Sequence, residues 1–198
     1  QRRQPELRFI ARYHDDAGYI GALARKVLKH WQTEGRGDKL VMSFHGVPER
    51  SLHLGDTYHC ECHKTARLLA ERLGLKKEQW QITFQSRFGK AKWLEPYTEP
   101  TLVALAQQGL KNVDVICPGF VADCLETLEE ISQEARDAFL SAGGQRFSYI
   151  ACLNDQHEWI AALASLVQRH LQGWPIEAAD AGALQAQRER ALALGART

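Results

Sequence analysis

Three groups of residues in this chain have the types and spacing to do chemistry. His45 ends an apolar run, Lys39–Phe44, and is followed at once by Gly46, Val47 and Pro48, which make a tight loop. An imidazole at such a point ligates a metal or takes a proton near neutral pH; it equally suits a hydrogen bond to a loop carbonyl. The second group is Asp123, Glu126, Glu130, Glu134 and Asp137. At 100° per residue these five fall within about 80° of one another on a helix. Crowded carboxylates hold protons more tightly and suit a relay for protons or cations. The same pattern also fits a solvated face that begins with an Asp123–Glu126 capping box. The third group is His59-Cys60-Glu61-Cys62-His63. It has the look of a metal cluster, yet C-x-C without a second cysteine pair better suits the start of a helix carrying ordinary polar residues.

These groups need elements to position them. Arg8–Tyr13, Lys39–Phe44, Trp80–Gln85, Val113–Cys117 and Phe147–Cys152 read as strands. Between them, Ile20, Leu23, Ala24, Val27, Leu28 and Trp31 recur at helical spacing behind an Asp15-Asp16 cap. Further helices are expected over Cys62–Leu73, Thr98–Gln108, Asp123–Ala142 and Asp155–His170. In the fourth, Leu125, Leu128, Ile131, Ala135 and Phe139 form an apolar stripe. Strands alternating with helices predict an α/β domain with a mainly parallel sheet, whose ligands sit at the carboxyl ends of the strands. That places His45, Ser86, Arg87 and the residues after Cys117 along one edge. One domain is expected over residues 1–175, with a tail at 176–198 whose Ala, Gln and Arg suit a loosely held helix.

Composition narrows the class. The 198 residues carry 25 Lys and Arg against 24 Asp and Glu, a net charge of +1. That balance speaks against a nucleic-acid binder working through bulk charge. Hydrophobic residues make up 44%, enough for a core. No apolar run approaches the roughly 20 residues of a membrane span, and no signal peptide precedes the first strand. Five cysteines without secretory features read as reduced thiols. Met42 is the only methionine and the chain opens on Gln1, so a piece of a longer polypeptide is expected.

Four motifs together resemble the ferrochelatase family: Ser43-Phe44-His45-Gly46-Val47-Pro48; Gly55-Asp56-Thr57-Tyr58; Phe84-Gln85-Ser86-Arg87-Phe88-Gly89 with Trp93-Leu94-x-Pro96-x-Thr98; and Pro118-Gly119-Phe120-x-x-Asp123-Cys124-Leu125-Glu126-Thr127-Leu128. They occur in the family's order and spacing, from about Arg8 to Val167, and are most similar to the proteobacterial members. The resemblance implies the C-terminal half of a two-domain enzyme with a Rossmann-like, three-layer α/β/α fold. It implies insertion of Fe(II) into protoporphyrin IX, with release of two protons, in a cleft shared with an N-terminal domain of the same polypeptide. His45 and Glu126 would be the catalytic and metal-binding pair. Asp123, Glu130 and Glu134 would form the path for protons or metal. Trp93 and Phe44 would line the porphyrin, with Ser86 and Arg87 at its rim. Iron would be a substrate, with no cofactor retained and no iron–sulfur cluster, since no cysteine follows Cys152. The setting would be cytoplasmic, with peripheral association at the membrane left open, and the isolated piece inactive.

One position departs from the pattern. Several family members carry a His where this chain has Cys124, a poor substitute for an imidazole base. By helical phase Cys124 leans to the apolar side. The departure leaves open a chelatase for another metal or tetrapyrrole, or a non-catalytic half that only binds one.

Overall fold

The computed structural model describes residues 4–175 and 177–197. They divide into two compact units, Gln1–Ser165 and Leu166–Thr198.

The first unit is built on four strands: β1 (Lys39–His45), β2 (Trp80–Gln85), β3 (Asn112–Ile116) and β4 (Arg146–Ile150). Their order is β2-β1-β3-β4 and every pairing is parallel. Period-two alternation sorts β1 into two faces. Leu40, Met42 and Phe44 join a core with Leu23 and Val27 of α1 (Ala17–Glu34) and Leu69 of α3 (Tyr58–Arg72). Val41 faces the other way, onto Leu102 of α4 (Thr98–Gln107) and onto Ile131, Ala135 and Phe139. Helices therefore cover both faces of a parallel sheet, the three-layer arrangement expected. Asp16 caps α1, its Oδ1 accepting from the Gly18 and Tyr19 N–H groups at 2.9 and 3.1 Å.

Two expectations are corrected. Arg8–Tyr13 is not a strand. Among the described residues it pairs with none, and Phe9 is 85% exposed. Its end is fixed instead by an Asp16 N–H bond to the Tyr13 carbonyl and an Arg12–Glu61 ion pair. Asp123–Ala142 is not one regular helix. It runs as α5 (Leu125–Leu128), a π-helical segment (Glu130–Ala135) and α6 (Arg136–Ser141). The Glu134 N–H reaches the Glu129 carbonyl, five residues back, at 3.0 Å. This widened turn breaks the 100° rule that aligned the carboxylates.

The strands are joined further by α2 (Glu49–His53) and followed by α7 (His157–His170). In the second unit, α8 (Ala181–Ala193) has no buried residue, and Asp180 Oδ2 accepts from the Ala183 N–H at 2.6 Å. No helix among the described residues is long and apolar enough to cross a membrane.

Candidate functional site

Strand parity continues the second face through Ser43 and His45, the side that α5 and the π-helical segment cover. His45 Nδ1 lies 2.5 Å from the Gly46 carbonyl oxygen. A carbonyl only accepts, so Nδ1 carries the hydrogen and Nε2 is left for a ligand or proton. The backbone beneath is held from two sides. Tyr58 Oη donates to the His45 carbonyl at 2.8 Å, and the Gly46 N–H donates to the Gln85 carbonyl at 2.7 Å. A side chain at Gly46 would meet that carbonyl at 2.8 Å and the Trp93 ring at 3.2 Å, so glycine allows this closeness. Trp93 and Phe120 flank the imidazole, with ring centres 6.4 and 6.2 Å away. Trp93 is fixed by Nε1–H donation to the Phe88 carbonyl at 2.8 Å.

Glu126 stands in the first turn of α5, close enough for the charge of His45 to act on its carboxylate. Cys124 does not lean to the apolar side. It precedes the helix in extended backbone, where helical phase does not apply, and its Sγ donates to Glu126 Oε2 at 2.9 Å. That bond, with the residue's own backbone N–H, holds the Glu126 carboxyl below its ordinary pKa; His45 adds to the effect. Burial and the carboxylate partner push the Cys124 thiol up. The helix start also differs from an Asp123–Glu126 box: the Cys124 N–H donates to Thr127 Oγ1 at 3.0 Å.

Glu130 accepts from the Ser86 N–H at 2.7 Å and from Ser86 Oγ at 2.5 Å. Ser86 sits at φ +62°, a left-handed backbone that these two bonds hold in place. Behind it a buried polar chain crosses the sheet. Gln85 Nε2 donates to the Glu126 carbonyl at 2.7 Å, and Ser43 Oγ donates to Gln85 Oε1 at 2.7 Å. Ser43 Oγ also lies 2.8 Å from Thr98 Oγ1. Glu130 and Glu126 are thus fixed to β2 through Ser86 and Gln85.

The remaining residues are placed differently. Asp123 is occupied by a tether between the loops after β3 and β4. It accepts from Tyr149 Oη at 2.6 Å, Asn154 Nδ2 at 2.7 Å and the Cys152 N–H at 3.2 Å. Burial alone would raise its pKa, but these donors outweigh burial and leave it lowered. Glu134 is exposed on the π-helical segment. Phe44 is buried on the opposite face of β1 from His45, against Phe84. It floors a cavity of about 180 Å³ that Tyr13, Tyr58 and Pro118 also line. The Arg87 guanidinium lies over the Tyr97 ring at 4.6 Å, beside a smaller cavity of about 100 Å³ that reaches Glu130. The structure thus groups His45, Glu126, Glu130, Ser86 and Trp93, and sets Asp123, Glu134 and Phe44 apart from them. Gln85, Tyr58 and Phe120 also belong to the site. Gln85 had a readable signal, a polar side chain closing a buried strand.

His59, Cys60, Cys62 and His63 all lie on α3. Cys62 is buried and Cys60 exposed, so their thiols do not share one environment.

A parallel α/β domain that sets an imidazole, carboxylates and an aromatic wall at its strand ends carries side chains of the types that suit metal ions and protons. The family profile described as ferrochelatase matches residues 1–171. A ferrochelatase of Methylibium petroleiphilum is 70% identical over 98% of this chain and 54% of its own length. One from a Polaromonas species is 66% identical over 98% of the chain and 53% of its own length. One from Bordetella pertussis is 62% identical over 88% of the chain and 48% of its own length. The chain belongs to the ferrochelatase family, and it spans about half the length of the curated relatives it matches.

Proposed function

We propose that the full-length protein inserts Fe(II) into protoporphyrin IX in the cytoplasm, forming protohaem and releasing two protons, and that this chain is the C-terminal half of that enzyme. The observation that carries the reading is His45, its Nδ1 engaged by the Gly46 carbonyl, standing beside Trp93 and within electrostatic reach of the Glu126 carboxylate.

A porphyrin accepts a metal only after two pyrrole nitrogens lose their protons. His45, oriented by its Nδ1–H bond, takes a pyrrole proton or holds the incoming ion. Glu126 stays charged near neutral pH, which suits it to attract Fe(II) and then to accept a proton. Glu130, locked by Ser86, continues the carboxylate path, with Asp123 and Glu134 at its far ends. Trp93 packs against the macrocycle with Phe44 contributing from the cavity side, and Ser86 and Arg87 hold the rim. Distortion of the ring draws on contacts made elsewhere, including those of an N-terminal domain. Iron is a substrate; the proposal assigns no resident cofactor and no iron–sulfur cluster.

Porphyrin metallation by the full-length protein tests this. His45→Ala and Glu126→Gln should each lower the rate by about 100-fold, the size of a lost acid–base group. Near wild-type rates in both would remove the assignment. The 198-residue chain alone should turn over at roughly 1% of the full-length rate or less, because half of the contacts that position and strain the ring are missing. The Cys124 thiol beside Glu126 favours a softer ion as the second reading, which the same assay with Zn(II) in place of Fe(II) would rank.

A further inference from the structure

We infer that His59 and His63 form a two-imidazole chelate for a borderline divalent ion such as Zn(II), Ni(II) or Cu(II). The inference is independent of the proposed reaction.

The two residues stand four apart on α3, so they share one helix face. Two histidines at this spacing on one face are a recurring zinc-binding arrangement. Here the ring centres lie 4.4 Å apart with the planes inclined at 48°. With metal–nitrogen bonds of about 2.0–2.1 Å, two imidazoles on one ion bring their ring centres to roughly 4.5 Å at a right-angled ion and roughly 5.2 Å at a tetrahedral one. The pair already stands at nearly the first of these separations.

The rest of the surroundings favours the same role. Among the described residues neither imidazole makes a hydrogen bond; their contacts are with each other and with Phe84. His59 lies flat on the buried Phe84 ring, 5.8 Å between centres and 20° between planes. That stack fixes the plane of its ring. His63 is exposed. Lys77 stands close enough for its charge to act on His63. Among the described residues no third His, Cys, Asp or Glu completes the group, so water fills the remaining positions. The positive charge of Lys77 opposes a dication and keeps the affinity moderate.

The test is calorimetric titration of the full chain with ZnCl2, comparing wild type with His63→Ala and His59→Phe. The first removes an exposed side chain; the second keeps the stack on Phe84 without the nitrogens. His45 and Glu126 are intact in both, so any zinc they bind cancels in the comparison. Each variant should bind Zn(II) roughly tenfold more weakly or worse, as expected when a two-point chelate becomes a single ligand. His53→Ala, another exposed imidazole, and Cys60→Ser should bind within about twofold of wild type. Wild-type affinity in either His63→Ala or His59→Phe overturns the inference. So does binding lost in Cys60→Ser and kept in His63→Ala, which would assign the ion to the thiol.

Discussion

At the scale of single residues, the Cys124–Glu126 contact sets the chemistry of the carboxylate. A thiol that donates to Oε2 favours the charged form of Glu126. The group therefore meets a cation as an anion down to lower pH than an ordinary glutamate would. Removing the donor in Cys124→Ala should move the Glu126 titration to higher pH, while Cys124→Ser, which restores a hydroxyl donor, should leave it low. Carboxyl 13C shifts followed against pH in the chain would read this directly. In the full-length protein the acidic limb of the metallation rate should move the same way. Identical titrations in wild type and Cys124→Ala would show that the thiol does not tune the carboxylate. The contact was not legible from helical phase, because the residue stands before the helix begins.

At the scale of elements, the carboxyl edge of the sheet depends on how each strand is entered. The turn between α1 and β1 is anchored on a buried carboxyl group, that of Asp114 of β3. It accepts from Trp31 Nε1 and from the Gly37 N–H, both at 2.7 Å, and lies 3.5 Å from Arg146 Nη2. A side chain at Gly37 would sit 2.9 Å from the Asp114 carboxyl, so only glycine admits this approach. Asp114→Ala leaves two part-buried donors without their acceptor and takes one partner from the Arg146 guanidinium, at a cost of about 3 kcal/mol. For a domain of this size that lowers the melting temperature by roughly 6–12 °C. Gly37→Ala should act in the same direction. Thermal unfolding followed by circular dichroism checks both; a loss under 1 °C in Asp114→Ala would show that the turn does not need its anchor. Strands and the amphipathic α1 were legible because burial leaves period-two and period-3.6 patterns in the residues themselves. The π-helical segment was not, because an i to i+5 bond changes no residue type. Nor was the irregular path of Arg8–Tyr13: alternation alone cannot report whether a neighbouring strand exists to pair with.

At the scale of the whole molecule, the site is assembled from loops far apart in sequence, and that is why its residues were legible as motifs and its geometry was not. His45 ends β1, Ser86 follows β2 and Glu126 stands in the first turn of α5, but only the parallel β2-β1-β3-β4 order sets these points side by side. Asp123 shows the consequence most plainly. Expected from the sequence as part of a carboxylate row, it also ties the loop after β3 to the loop after β4. Its role should appear in the pH dependence of folding. In the folded state its pKa is lowered, so below its ordinary value the unfolded chain binds more protons than the folded one. The stabilisation from the tether is therefore complete above about pH 4, the ordinary range of an aspartate, and falls away as the pH drops through the folded-state value. Urea unfolding of wild type and Asp123→Asn at several pH values from 7 down to 3 measures it. Wild type should be the more stable at neutral pH, and the gap should narrow steadily below about pH 4 as the carboxylate protonates. A gap that keeps its size down to pH 3 would mean that the charge of Asp123 does not hold the two loops together.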